Sequence, residues 1–243
     1  SDLAATTTIT ANPIAITADG QSTSPITVQA KDANGNNRGA GGDAVVLATT
    51  LGALGAVVDN GDGTYTATLT AGVVAGTATV TGTINGAAIT DDADVTLNAG
   101  AAVAAATTIT ANPIVITADG QSTSTITVQA KDANGNNRGA GGDAVVLATT
   151  LGALGAVVDN GDGTYTATLT SGLVVGNARV TGTINGAAIT DDADVAFNVG
   201  AAAAATTTIT ANPIAITADG QRSEEHTSEL QSPCNLVCRL LLE

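Results

Sequence analysis

The chain has 243 residues, a formal net charge of −15 at pH 7, no Met or Trp, and two Tyr and one Phe as its only aromatic residues. So acidic a chain repels nucleic acid and anionic membrane surfaces, which removes both as expected partners. Its one His and both Cys (His226, Cys234 and Cys238) lie beyond residue 221, so the chain before them has no disulfide, no His- or Cys-based metal site and no Ser–His–Asp triad.

Residues 1–6 read as the end of a linker, and the first long unit runs over residues 7–98. Ala, Thr, Val, Ile and Gly dominate it, and helix formers such as Glu, Lys, Gln and Met are scarce, which points to strands. Seven are predicted, at about 9–17, 25–32, 43–50, 54–58, 64–71, 76–84 and 87–97. Pro13 should break the first into two short edge pieces, because proline cannot donate to a central ladder. In Ile26-Thr27-Val28-Gln29-Ala30 the apolar residues fall on one face. In Tyr65-Thr66-Ala67-Thr68-Leu69, Tyr65, Ala67 and Leu69 face one way and the threonines the other. Turn signals separate the runs: Asn34-Gly35, Asn60-Gly61-Asp62-Gly63 and Asn85-Gly86, of which Asn-Gly pairs favour tight hairpins.

The segment Thr7–Gly100 recurs as Thr107–Gly200 with ten differences, and TTITANPI begins at Thr7, Thr107 and Thr207. Ala78 and Val80 recur as Ala178 and Val180, while Thr77 and Thr79 become Asn177 and Arg179. Polar and charged replacements at alternate positions mark a solvent-facing row beside a buried one. Ala15/Val115, Pro25/Thr125 and Leu97/Phe197 also differ. The second repeat therefore spans 107–198, with short Ala-rich links at 99–106 and 199–206 expected to be extended joints, since they carry no helix caps. Residues 207–221 are the truncated start of a third repeat, holding only its first strand.

Seven short strands in about 95 residues suggest an immunoglobulin-like sandwich. The expected fold class is thus all-β: tandem immunoglobulin-like β-sandwich domains of about seven strands each, without disulfides. Val, Ile, Leu and Ala must fill the cores, with Tyr65 or Tyr165 as the main large anchor and Phe197 added in the second. No apolar run is long enough for a membrane-spanning helix, and without an initial Met the sequence reads as a piece of a longer one.

Only Asp, Lys, Tyr and hydroxyl groups remain for chemistry in residues 1–221, and the Asp residues sit at predicted turns, so no catalytic residues and no enzyme are expected. No cofactor is expected either, with calcium as the one chemical alternative, since it takes 6–8 oxygen ligands. The candidate ligands are Asp59, Asp62, Asp91, Asp92 and Asp94, with Asp159, Asp162, Asp191, Asp192 and Asp194 in the second repeat. Asp32-Ala33-Asn34-Gly35-Asn36 lacks the EF-hand spacing and its final Glu. The competing reading makes all of these turn formers and solubilising charges.

Three stretches carry a resemblance. They are Asp19-Gly20-Gln21 with Ile26 through Asn36; Asp62-Gly63-Thr64-Tyr65-Thr66-Ala67-Thr68-Leu69-Thr70; and Ala75-Gly76-Thr77-Ala78-Thr79-Val80, with counterparts at 119–136, 162–170 and 175–180. Together they resemble the bacterial Ig-like domain, group 1, of the invasin and intimin family. The resemblance implies stacked extracellular modules of a bacterial adhesin, anchored in the outer membrane or secreted. Neighbouring repeats of the same chain are then the expected partners, and a host or cell-surface receptor would be met through a tip domain that this sequence lacks. The rival expectation is that the repeats themselves grip a ligand, their repetition giving avidity.

Residues 222–243 interrupt the third repeat after Gln221 and hold every Glu of the chain. RSEEHTSELQS and the later LVCRLLL resemble the conceptual translation of a sequencing adapter, so this tail is expected to be artefactual and disordered. Without its two Arg and four Glu the net charge becomes −13, all of the acid being Asp.

Overall fold

The structure is a computed structural model that describes residues 4–202, 207–210 and 212. The artefact reading of 222–243 therefore concerns residues outside those described. The described residues up to Gly200 form one compact unit.

Each repeat folds as two five-stranded sheets. In the first repeat one sheet contains β1 (Thr8–Ala11), β3 (Thr23–Gln29), β7 (Thr64–Thr70), β5 (Ala53–Leu54) and β6 (Val58–Asp59). The other contains β2 (Ala15–Thr17), β10 (Ala93–Asn98), β8 (Gly76–Ile84), β4 (Val45–Thr49) and β9 (Ala87–Ala88). The strand orders are β1-β3-β7-β5, with β6 also on β7, and β2-β10-β8-β4, with β9 also on β8. The second repeat, β11 (Thr108–Asn112) through β20 (Ala193–Asn198), repeats this topology. Every pair is antiparallel except β2 with β10 and its counterpart β12 (Val115–Thr117) with β20, which are parallel.

Alternation explains the core. Across the β3–β7 ladder Ser24 faces Leu69, Ile26 faces Ala67 and Val28 faces Tyr65, and all six side chains are buried. From the opposite sheet come Ala78, Val80 and Ile84 of β8, with Ala93, Val95 and Leu97 of β10. Each large aliphatic side chain in this layer contributes about 1.5–3 kcal/mol. Asn177 and Arg179 lie exposed and alternate with the buried Ala178 and Val180, as the pattern requires.

Ten short strands replace the seven predicted. Pro13 does divide the first run, and the halves join different sheets: β1 pairs β3 while β2 pairs β10. The predicted strand at 54–58 is instead two dipeptides, β5 and β6, that flank a gap along β7. The run at 87–97 is also two strands. Asn85 (φ 53°) and Gly86 (φ 82°) make the tight turn from β8 into β9, after which the chain returns along β8 as β10. Where Pro25 stands in the first repeat, Thr125 regains an N–H, and β11 extends one residue further, to the Asn112–Thr125 pair.

The start of the third repeat shows why the first strand cannot stand alone. Ile9 is 3% exposed beneath its sandwich, whereas Ile209 is 93% exposed and Thr207–Thr210 carry no strand. Apart from Asn212, the rest of the 207–221 segment lies outside the described residues.

Candidate interaction surface at the joint between repeats

The loop Asp32–Asn36 closes on itself. Asp32 Oδ1 accepts the Asn34 and Asn36 N–H groups and Oδ2 accepts the Asn36 side-chain amide, each at 2.9 Å. The Lys31–Asn37 bridge ties its base, and Gly35 (φ 84°) takes the left-handed position that a side chain would resist. Asp132–Asn136 repeats the same bonds at the same distances. These Asx-type bonds are local to the sequence, so the loop is built the same way in both settings.

Its surroundings differ. In the second repeat the loop reaches the end of the first. Gly100 N–H donates to Asp132 Oδ2 at 2.9 Å, and Asn134 Nδ2 donates to Ala18 O at 3.3 Å. Asn136 takes the backbone of β8's entry at two points, donating from Nδ2 to Val73 O (2.8 Å) and accepting Ala75 N–H at Oδ1 (3.0 Å). Arg138 Nη1 donates to Gly100 O at 3.2 Å. Asp132 is thereby 2% exposed, whereas Asp32 is only half-buried. Burial opposes ionisation of Asp132, but the Asn136 amide and the Gly100 N–H outweigh it and hold its carboxyl below the usual range. Asp32 is lowered as well, first by the Asn36 side-chain amide.

The link between repeats is not simply extended. Val103 N–H bonds Lys131 O, and Val103 O accepts the Ala106 and Thr107 N–H groups, so the chain turns at 104–106 before β11.

Behind the loop lies a second polar group. Asp43 N–H donates to the buried Tyr65 hydroxyl at 2.8 Å, Asn85 Nδ2 donates to Asp43 Oδ1 at 2.8 Å, and Arg38 Nε lies 3.3 Å from Asp43 Oδ2. Burial first, and the neighbouring Asp43 and Asp59 charges after it, push the Tyr65 hydroxyl above its usual pKa. This arrangement, repeated at Tyr165, ties the base of the loop to the core.

The calcium candidates fall in two groups in each repeat, at 59–62 and 91–94 in the first, and most of them already accept hydrogen bonds. Asp59 accepts the Gly42 and Gly61 N–H groups, and Asp62 accepts the N–H and hydroxyl of Thr64. Asp91 accepts Ile9 N–H, and Asp94 accepts the Thr79 hydroxyl. In the second repeat Asp159, Asp162 and Asp191 do the same, while Asp192 pairs with Arg179. Asp92 and Asp194 are exposed or on the outer face of their strands. Among the described residues no three carboxylates gather as a metal-holding group. The joint residues Asp132, Asn134 and Asn136 were missed as functional by sequence reasoning, because what singles them out is the neighbouring repeat.

The profile of the family described as "Invasin, domain 3" matches residues 3–100 and again 103–200. Among solved structures the chain is similar to Yersinia pseudotuberculosis InvD, at 34% identity and a TM-score of 0.64, over 84% of this chain and 61% of that one. It is similar to FdeC, an Escherichia coli adhesin, at 31% identity and a TM-score of 0.60, over 82% of this chain and 65% of that one. It is also similar to an invasin described as a bacterial integrin-binding protein, at 31% identity and a TM-score of 0.58, over 80% of this chain and 40% of that one. The chain thus spans less than two thirds of the length of each.

Proposed function

The chain belongs to the family of invasin domain 3, a family of Ig-like adhesin repeats, and from that premise we propose that its repeats are the spacer of a bacterial surface adhesin. They carry a binding tip away from the cell and do not themselves grip the ligand. The observation that carries this reading is the fate of the aromatic residues. Tyr65, Tyr165 and Phe197 are the only ones in the sequence, and each is 1% exposed. Binding hot spots are enriched in Trp, Tyr and Arg at the centre of a contact patch, and neither repeat offers an aromatic there. The polar contacts of the joint support the same reading, since a spacer transmits position only if consecutive modules hold a fixed angle.

Modules in series contact only their neighbours, so reach follows from copy number and stiffness from each joint. The test is small-angle scattering of the intact chain beside a binding assay on host-cell surfaces. One narrow distribution of dimensions with no saturable binding is the expected result. Saturable binding by this chain would instead favour repeats that hold a receptor themselves, as the integrin-binding protein does somewhere along its longer chain.

A further inference from the structure

The chain enters each repeat at β1 and leaves it at β10, and between the two lies the parallel pairing of the fold. β2 runs beside β10 in the same direction, with Ala15 on Thr96, Ile16 on Leu97 and Thr17 on Asn98. Two further bonds bracket that register: Thr96 N–H donates to Ile14 O and Ala18 N–H donates to Asn98 O, each at 2.8 Å. The second repeat has the same two, Ala196 to Ile114 and Ala118 to Asn198, at the same distance. Behind the ladder Ile16 and Leu97 are buried, as are Ile116 and Phe197, so water is kept from one side of it. The far end of β2 is pinned. Asp19 Oδ1 accepts the Gln21 and Ser22 N–H groups at 2.8 and 2.6 Å, and Gly20 N–H bonds Gly72 O at 3.3 Å. At the entry, β1 is held by its ladder with β3 and by Ile9 N–H on Asp91 Oδ2 at 2.8 Å.

We propose that each repeat is a force-bearing module whose mechanical clamp is the parallel pair β2–β10, with β12–β20 as its counterpart. A pull along the chain draws β2 toward its N-terminal end and β10 toward its C-terminal end. Because the strands run parallel, the two pulls slide one neighbour against the other along their common axis. Sliding strains all the bonds of the ladder together, whereas peeling two strands apart from one end breaks them one after another. β1 takes the first of the tension and passes it to β2 once its own ladder with β3 slides. While β2 and β10 hold, the strands between them in sequence, β4 through β9, carry little of the force. Resistance of this kind is a rate, set by the barrier to unfolding and not by the equilibrium stability of the module. The role rests on the spacer reading, since a rod between a cell and a distant contact is under tension whenever either end moves.

The experiment is single-molecule stretching of the full chain, held by its two ends at constant force under reducing conditions. Two steps of similar length are expected, each freeing roughly 300 Å of contour, because about 90 residues from Thr8 to Asn98, or from Thr108 to Asn198, extend by about 3.3–3.6 Å each. Ile116→Val trims the packing behind the clamp of the second repeat and should speed one of the two steps by about 2- to 12-fold, leaving the other unchanged. Ala118→Pro removes the N–H that bonds Asn198 O and should speed the same step by about tenfold or more. Gly182→Ala crowds Leu147 and the Val146 carbonyl at the other edge of the same sheet. It should lower the urea midpoint of unfolding and yet leave both rupture rates within about twofold of their starting values, since contacts still present at the barrier do not change its height. The two milder variants decide the matter even if Ala118→Pro does not fold. A step sped by Gly182→Ala as much as by Ile116→Val, or both steps left as they were by Ile116→Val, overturns the clamp. Saturable binding to host cells would sink the spacer reading alone and leave these steps in place.

Discussion

Replacing Asn136 by Ala removes the two bonds that hold the loop to the entry of β8, those with Val73 O and Ala75 N–H. A net intramolecular hydrogen bond is worth about 0.5–1.5 kcal/mol, so the pair contributes about 1–3 kcal/mol to the closed joint. Water reaches both backbone groups once the joint opens, so no further penalty for a permanently unsatisfied donor is added. A loss of that size multiplies the open population by about 5 to 150, at tenfold per 1.4 kcal/mol. The assay is hydrogen exchange at the Ala75 amide, whose protection should fall by that factor while amides of β7 and β17 (Thr164–Thr170) keep theirs. The matched control is Asn36→Ala, which removes the same side chain from the same loop where, among the described residues, its amide bonds Asp32 alone. Equal loss of Ala75 protection in the two variants, or none in Asn136→Ala, would refute the claim that this side chain holds the repeats together.

The remaining predictions concern the modules and the chemistry of the joint. Tyr65→Phe keeps the packing but leaves Asp43 N–H without its acceptor, so thermal or urea unfolding should show a loss of about 1–3 kcal/mol in the first repeat. Gly82→Ala should destabilise by about 1–3 kcal/mol by overpacking, because a Cβ there would lie 2.7 Å from Leu47 Cδ2 and 2.9 Å from the Val46 carbonyl oxygen. Asp132 has a lowered pKa in the folded chain, so its contribution is fully present above its unfolded value near pH 4 and is lost as pH falls through the lower, folded value. Ala75 protection followed by exchange should therefore decline only on the acid side of about pH 4. Millimolar calcium should leave the melting temperature unchanged, since Asp59, Asp62 and Asp91 are already engaged as acceptors of backbone N–H groups.

The sandwich was legible where one residue in two faces the core. The runs at 64–71 and 76–84 announce themselves because Tyr65, Ala67 and Leu69, and then Ala78 and Val80, alternate with polar residues, and burial follows that alternation. The edges were less legible. Residues 53–59 contain a Gly between apolar residues, and nothing in that pattern says that the chain leaves β7 at Ala56 and rejoins it at Val58. The joint was illegible for a different reason. Asp32-Ala33-Asn34-Gly35-Asn36 reads as a turn in either copy, and the turn chemistry is indeed the same. Its second role comes from groups 32 to 116 residues away, and they are backbone groups, which leave no residue-type signal in a sequence.

That last property also explains how the copies have changed. The loop is the same in both repeats, whereas its socket is not: Val73, Ala75 and Ala99 stand where Leu173, Val175 and Val199 do in the second. In the occupied joint the loop reads Ala18 O, Val73 O, Ala75 N–H and Gly100 N–H, Arg138 beyond it reads Gly100 O, and none of the varied side chains is met through a hydrogen bond. A joint read through the backbone tolerates change in the residues around it, provided that they point away from the loop and that the backbone keeps its path. The matching bonds from Ala118 and Gly120 show that the path is kept in the second repeat despite the three replacements. A module of this design can therefore follow any other, and an array can gain or lose copies without a new interface having to arise each time. Interchangeability of this kind requires the side with the side-chain contacts to stay fixed, and that is the side, Asp32 through Asn36, where the two copies are identical.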